Sequence, residues 1–262
     1  MFQIDRLKNK LENGGIAIGT HLKWSNSNFV ELFALAGFDY IWLDGEHGTM
    51  SLDTINNNIR IAQSNGVAAI YRVPWNDPVR VKPILEMGPD GIVFPFIRTA
   101  EEARLAVASC KYPPQGIRGY APGRAIRYGL TPLDKYLEEV KKTWVIMQIE
   151  HIDAVRNLDE ILSVPGVDAC IIGMMDLSAS IGMLGQVKSP EVTALLDEIG
   201  EKITRAGKPF GVAMGYDDQL VEDWIRRGAQ MIGVGGEEEF LCKASLQAIQ
   251  NVNTIRQHVL NI

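Results

Sequence analysis

Two apolar runs of this sequence end in a carboxylate: Trp144-Val-Ile-Met-Gln-Ile-Glu150 and Ala169-Cys-Ile-Ile-Gly-Met-Met-Asp176. Acids brought by separate buried strands to one end of a sheet suggest a divalent metal, because oxygen ligands without thiolate suit a hard cation. A third run, Tyr40-Ile-Trp-Leu-Asp44-Gly-Glu46-His47, adds a possible base, since histidine titrates near neutral pH. A fourth, Val67-Ala-Ala-Ile-Tyr-Arg72, adds a cation. Paired acids, a base and a cation at strand tips point to an enzyme acting on a small anion.

Such groups need a scaffold that gathers strand ends. Eight short apolar runs recur along the chain, at 16–20, 38–43, 67–72, 91–96, 144–149, 169–172, 209–214 and 230–234. Between them lie segments with helical apolar spacing, such as Asn28 to Ala36 closed by Gly37, and Ala100 to Ala108. Strand then helix, eight times over, predicts an α/β fold: one (β/α)8 TIM barrel spanning residues 1–262 as a single domain. An open doubly wound sheet is the alternative, but no Gly-x-Gly-x-x-Gly follows the first strand and polar groups end nearly every run.

One connection, Lys111 to Thr143, is unusually long and carries Arg118, Arg124 and Arg127 among aromatic residues. It reads as an ordered lid or a subunit contact, with an ordinary solvated loop as the plainer possibility.

Composition narrows the function classes. The net charge of −6 and the lack of long basic clusters argue against nucleic acid as a partner. No stretch has signal-peptide character and none approaches the roughly 20 apolar residues of a membrane span, so the sequence reads as cytoplasmic. Cys110, Cys170 and Cys242 are too scattered for a disulfide framework or a zinc site and read as buried thiols.

Each candidate residue also has a plainer role. Asp176 could cap a helix beginning at Leu177, and Glu150 could serve a salt bridge at the barrel mouth. Arg72 could make a structural ion pair, and His47 could sit in a loop where Asp44 and Glu46 bond nearby backbone. Spacing alone does not separate these readings. A phosphate turn at Gly233-Val-Gly-Gly236 is disfavoured by the acids Glu237, Glu238 and Glu239, which suit the positive end of the last helix.

Five stretches carry a resemblance: Ala36-Gly-Phe-Asp-Tyr-Ile-Trp-Leu-Asp-Gly-Glu-His47, Arg72-Val-Pro-Trp-Asn-Asp77, Tyr112-Pro-Pro-Gln-Gly-Ile-Arg-Gly119, Gln148-Ile-Glu150 and Asp176-Leu-Ser-Ala-Ser180. In order and content the chain resembles the HpcH/HpaI aldolases, metal-dependent enzymes that cleave or form 4-hydroxy-2-oxo acids with pyruvate as one product. The resemblance implies that Glu150 and Asp176 bind Mg²⁺, Mn²⁺ or Co²⁺, with no organic cofactor. It implies that His47 is the acid/base residue and that Asp44 orients its ring. Arg72 would hold the keto oxygen and carboxylate region of the substrate. The backbone of Gly173, Met174, Met175 and Asp176 would receive the pyruvate carboxylate, and Gln148 would bond the metal's water shell. Partners would be the oxo acid, pyruvate and an aldehyde, in a homo-oligomer of hexameric type whose last helix packs on a neighbour.

The same machinery would also serve a decarboxylase or an acyl-CoA carbon–carbon lyase, and a non-catalytic sensor of metal and 2-oxo acid is the alternative from another class. A Schiff-base aldolase needs a barrel lysine. No strand run contains one, although Lys23 and Lys208 lie near strand ends. The sequence departs from the family pattern at His21, where an aromatic such as Trp is usual, at Met174-Met175, and at Glu86 with Pro89. These positions touch the pocket wall and the subunit contact, so the aldehyde does not transfer with the resemblance.

Overall fold

The computed structural model describes residues 3–260. Eight parallel strands close into a barrel in sequence order, β1 (Ala17–Leu22), β2 (Tyr40–Asp44), β3 (Ala68–Arg72), β4 (Gly91–Phe94), β5 (Trp144–Ile149), β6 (Ala169–Ile172), β7 (Phe210–Met214) and β8 (Met231–Gly236). The last strand pairs with the first, which leaves no open edge. The barrel is the predicted one and the open sheet is excluded.

The continuous apolar runs follow from burial on both faces. Every residue of β2, β3, β4, β5 and β6 is buried. Alternation divides them: Tyr40, Trp42, Ala68, Ile70, Val93, Ile146 and Ile171 fill the barrel interior, whereas Ile41, Leu43, Ala69 and Tyr71 pack outward beneath the helices. Continuing the inward row one step towards the strand C-termini reaches His21, Asp44, Arg72, Gln148 and Gly173. Polarity changes abruptly in that layer, which forms the floor of a cavity.

The opposite end is closed by a helix that the periodicity does not predict, Ile4–Glu12, whose Ile4, Leu7 and Leu11 plug the barrel bottom. Asp90 binds it in place, accepting the N–H groups of Gln3, Ile4 (3.0 Å) and Ala69 (2.9 Å) and the amide of Gln63 (2.9 Å).

The long connection also lies at this lower end, since it runs from the helix Ala100–Cys110 to the start of β5. A lid over the strand C-termini is therefore ruled out. It is ordered by its arginines: buried Arg118 donates to Leu85 O (3.1 Å) and Tyr136 Oη (3.2 Å) and stacks over Tyr112, while Arg124 donates to Met87 O (2.6 Å) and Gln63 Oε1 (2.8 Å).

Cys110 and Cys170 are buried, and desolvation pushes both thiols up to about 12; Cys242 is exposed, against the expectation of three buried thiols. Among the described residues no helix is long and apolar enough to cross a membrane.

Candidate active site

A cavity of about 540 Å³ opens at the C-terminal ends of the strands. Asp44 and Arg72 are register partners on β2 and β3. Side chains at paired positions of neighbouring strands stand side by side, and here they form a two-point ion pair: Nε to Oδ1 at 3.0 Å and Nη2 to Oδ2 at 2.6 Å. Asp44 Oδ1 also accepts the N–H groups of Glu46 (3.0 Å) and His47 (3.1 Å). Burial alone would raise this carboxyl, but the Arg72 guanidinium outweighs it and holds Asp44 below the usual carboxylate range. The turn that results is tight enough to need glycine: a Cβ on Gly48 would lie 2.0 Å from Asp44 O.

This geometry corrects one expectation. Asp44 does not orient the His47 ring, because both of its oxygens are committed to Arg72 and to backbone N–H groups. The carboxylate beside the ring is Glu46, whose Oε2 lies 3.9 Å from His47 Nε2 and 2.8 Å from Arg72 Nη1. Spacing assigns Glu46 only a backbone role. Its only signal is its place two residues after Asp44, in the bend that follows β2. His47 itself is exposed at the mouth, with 61% of its side chain accessible.

Glu150 follows β5 and is buried to 1% accessibility without a salt bridge to any described residue. Its Oε1 accepts the N–H of Phe96 (2.8 Å), and its Oε2 accepts the side-chain amide of Gln148. Phe96 supplies that N–H from a left-handed conformation (φ 51°), a strained backbone of the kind retained where a functional group must be aimed. Desolvation raises Glu150 to about 7, and the facing charges of Glu46 and Asp176 push the same way. Gly173 makes room, since a Cβ there would fall 2.5 Å from Glu150 Oε2. Gln148 Oε1 reaches Arg72 Nη1 at 3.4 Å, so the amide bridges acid and cation.

Asp176 is not a helix cap. That helix runs Met174–Ser180 with Gly173 at its N-cap, which places Asp176 in the first turn facing the cavity. The first-turn N–H groups of Met174, Met175 and Asp176 have no intrahelical acceptor and border the same space.

Three carboxylates, Glu46, Glu150 and Asp176, thus repel one another across a space answered by one guanidinium. Glu46 Oε2 is buried without a directed hydrogen bond. Among the described residues no three His, Cys, Asp or Glu side chains form a complete metal cage. A buried acid left unneutralised beside a second acid nonetheless fits a divalent cation completed by water or substrate oxygens.

Neither candidate lysine offers a Schiff base deep in the barrel. Lys208 donates to Val167 O (2.6 Å) below the strands, and Lys23 sits at the rim 3.5 Å from Glu238. Gly233 to Gly236 lie within β8 and form no phosphate turn; Glu237 follows and accepts the N–H groups of Lys23 and Trp24, both at 2.7 Å.

A 4-hydroxy-2-oxo-heptane-1,7-dioate aldolase of Klebsiella pneumoniae is 36% identical over 241 residues, covering 91% of this chain and 90% of its own. An HpcH/HpaI aldolase from Desulfitobacterium hafniense superposes with a TM-score of 0.86 at 32% identity, covering 98% and 97% of the two chains. An HpcH/HpaI aldolase/citrate lyase family protein from Burkholderia cenocepacia superposes at 0.88 with 28% identity, covering 95% and 99%. The family model for HpcH/HpaI aldolase/citrate lyase matches residues 17–244, the span that holds every group of the cavity floor. The chain therefore belongs to the HpcH/HpaI aldolase/citrate lyase family of carbon–carbon lyases.

Proposed function

We propose that this protein is a metal-dependent aldolase that reversibly cleaves a 4-hydroxy-2-oxo acid to pyruvate and an aldehyde. The observation that carries the reading is the convergence of Glu150 and Asp176 on a cavity whose floor holds a single guanidinium, with Glu46 adding its charge from behind that guanidinium. Glu150 and Asp176 would hold a divalent cation such as Mg²⁺, Mn²⁺ or Co²⁺. Bound there, it would polarise the 2-oxo group of the substrate and so make cleavage of the neighbouring carbon–carbon bond feasible.

The chain's own residues do the rest. Arg72, clamped by Asp44, Glu46 and Gln148, presents its charge and the N–H left on Nη2 to the oxo-acid half in a fixed orientation, which lowers the cost of ordering it on binding. The first-turn N–H groups of Met174, Met175 and Asp176 receive the carboxylate. Gln148 holds Glu150 and Arg72 in mutual register. His47, exposed at the mouth, takes the proton of the 4-hydroxyl as the bond between C3 and C4 breaks. Glu46 stabilises the resulting imidazolium from 3.9 Å.

The test needs no knowledge of the aldehyde. Pyruvate is incubated with metal-loaded enzyme in D₂O and its methyl proton signal followed by NMR, beside chelator-treated enzyme. Metal-dependent loss of the signal is expected. A folded protein that exchanges nothing with any of the three metals sinks the reading.

The assembly is proposed to be a homo-oligomer, hexameric by resemblance. Its support is a last helix, Glu237–Leu260, in which Leu246, Ile249, Val252, Ile255 and Val259 are each at least 60% exposed. Removal of residues 241–262 is expected to shift the mass found by light scattering to that of a smaller species.

A further inference from the structure

His21 is the inward residue of β1 in the polar layer. Its ring lies 5.4 Å from the Trp42 ring and borders the cavity. Its Nδ1 is 3.0 Å from Gly235 O. A carbonyl oxygen can only accept, so Nδ1 carries the proton. The ring's other nitrogen, Nε2, has no protein hydrogen-bond partner among the described residues and remains an acceptor when the ring is neutral. Burial favours that neutral form, lowering the imidazole from its ordinary value against the pull of Gly235 O and Asp44. The ring thus offers the cavity one lone pair and no charge.

The charges around it restrict what can meet that lone pair. The wall beside it, where β8 ends next to β1, is lined by Glu237, Glu238 and Glu239. The cations near them are already engaged, Lys23 with Glu238 at 3.5 Å and Lys243 with Glu239 at 2.5 Å. An aldehyde bearing its own carboxylate would have to enter beside acids whose lysines are already paired, whereas a neutral hydroxyl would find an acceptor in His21.

We infer that His21 is a specificity-determining residue whose Nε2 accepts a hydroxyl of the aldehyde half, so that the preferred acceptor is a short, uncharged hydroxyaldehyde. This rests on the aldolase reading and deepens it. In the synthetic direction pyruvate loses a methyl proton, its C3 bonds to the aldehyde carbon, and the aldehyde oxygen gains a proton. His21 takes no part in those transfers and acts through binding alone.

The experiment compares glycolaldehyde, propanal and succinic semialdehyde as acceptors with pyruvate, in the wild type, His21→Phe and His21→Gln. Glycolaldehyde and propanal have nearly the same shape and differ by one hydroxyl. The wild type is expected to favour glycolaldehyde over propanal by about tenfold in kcat/KM, the scale of one hydrogen bond, and to use succinic semialdehyde least. His21→Phe keeps the aromatic contact with Trp42 and is expected to erase the preference; His21→Gln, with an amide oxygen in place of Nε2, is expected to restore part of it. Methyl exchange of pyruvate alone should be unchanged in both variants. Exchange also separates the two failures, because its absence from the wild type overturns the aldolase reading together with this inference. Exchange that persists while succinic semialdehyde is the best acceptor, or while His21→Phe keeps the preference, overturns the role of His21 and leaves the aldolase standing. A direct readout accompanies the kinetics: the ¹⁵N resonance of His21 Nε2 should move on adding glycolaldehyde and not propanal, and an unmoved resonance at saturating glycolaldehyde overturns the inference as well.

Discussion

Glu150 at the mouth of the barrel and Asp90 at its lower end are both carboxylates with 1% accessibility or less, and desolvation raises both, to about 7 and about 6. Their surroundings differ in kind. Asp90 receives N–H groups from Gln3, Ile4, Ala69 and Gln63, which belong to three separate segments, and no facing acid opposes it. Glu150 receives Phe96 N–H and the Gln148 amide and is repelled by Glu46 and Asp176. A buried carboxylate saturated with donors joins segments of the fold, whereas one left facing other acids holds negative charge ready for a ligand. Barrels commonly divide their ends in this way, stability below and chemistry above.

The largest expected effect removes the ready charge. Glu150→Gln should cut metal-dependent methyl exchange by about a thousandfold or more, as loss of a charged ligand does. It should also stabilise the metal-free protein at high pH. A carboxyl raised from 4.5 to about 7 binds its proton more tightly folded than unfolded. Folding therefore loses stability as pH rises from 4.5 through 7, and each tenfold gain in proton affinity is worth about 1.4 kcal/mol. The variant should exceed the wild type by up to about 3 kcal/mol at about pH 8 and match it near pH 4.5. Urea titrations at both pH values, with and without Mn²⁺, measure this. A variant less stable than the wild type at the higher pH would make Glu150 a structural residue like Asp90.

Asp90→Ala is the reverse experiment. It leaves the N–H groups of Gln3, Ile4 and Ala69 without their acceptor, strips the Gln63 amide of one of its two, and frees the plugging helix Ile4–Glu12. A loss on the order of 3 kcal/mol is expected, with exchange per folded molecule unchanged. If exchange falls in step with the loss of Asp90, the two ends are coupled and the division between them fails.

The two ends are not equally legible in the sequence. Glu150 and Asp176 stand out because a continuous apolar run that ends in an acid is a strong local signal. Asp90 gives none, since it precedes its strand, and a polar residue before a strand looks like any turn. The helix Ile4–Glu12 escapes for a related reason: its apolar residues, Ile4, Leu7 and Leu11, are few and its polar ones many. The misassignment of Asp44 has another origin. The family resemblance pairs it with the ring of His47, three residues on, and spacing alone pairs it with nearby backbone, which it does accept; its side-chain partner, Arg72, is 28 residues away and is brought alongside by the register of β2 and β3. The long connection misleads because residue types announce order without saying at which end of a barrel the order lies.

Arg72→Lys asks whether the one cation of the cavity floor works by charge or by shape. A lysine keeps the charge but cannot repeat the two-point grip on Asp44 at 3.0 and 2.6 Å. The KM for pyruvate is expected to rise by about thirtyfold, roughly 2 kcal/mol, with kcat falling less. A KM within a factor of about two of the wild type would show that charge alone suffices.

Gly173→Ala makes the smallest change, one methyl group, and sharpens the comparison most. The new Cβ would lie 2.5 Å from Glu150 Oε2 and 2.8 Å from Glu150 Cβ, so the carboxylate or the helix behind it must shift by several tenths of an ångström. The fold should tolerate this, because residue 173 has φ −96° and ψ 90°, open to any residue type. The penalty should fall on the ligand, with apparent Mn²⁺ affinity weakened by about tenfold and melting temperature hardly changed. Methyl exchange at saturating metal should then recover most of the wild-type rate. Were the effect instead a large loss of stability with unaltered metal affinity, Gly173 would serve packing, and the closeness of Glu150 to the helix N-terminus would be incidental to the charge it holds.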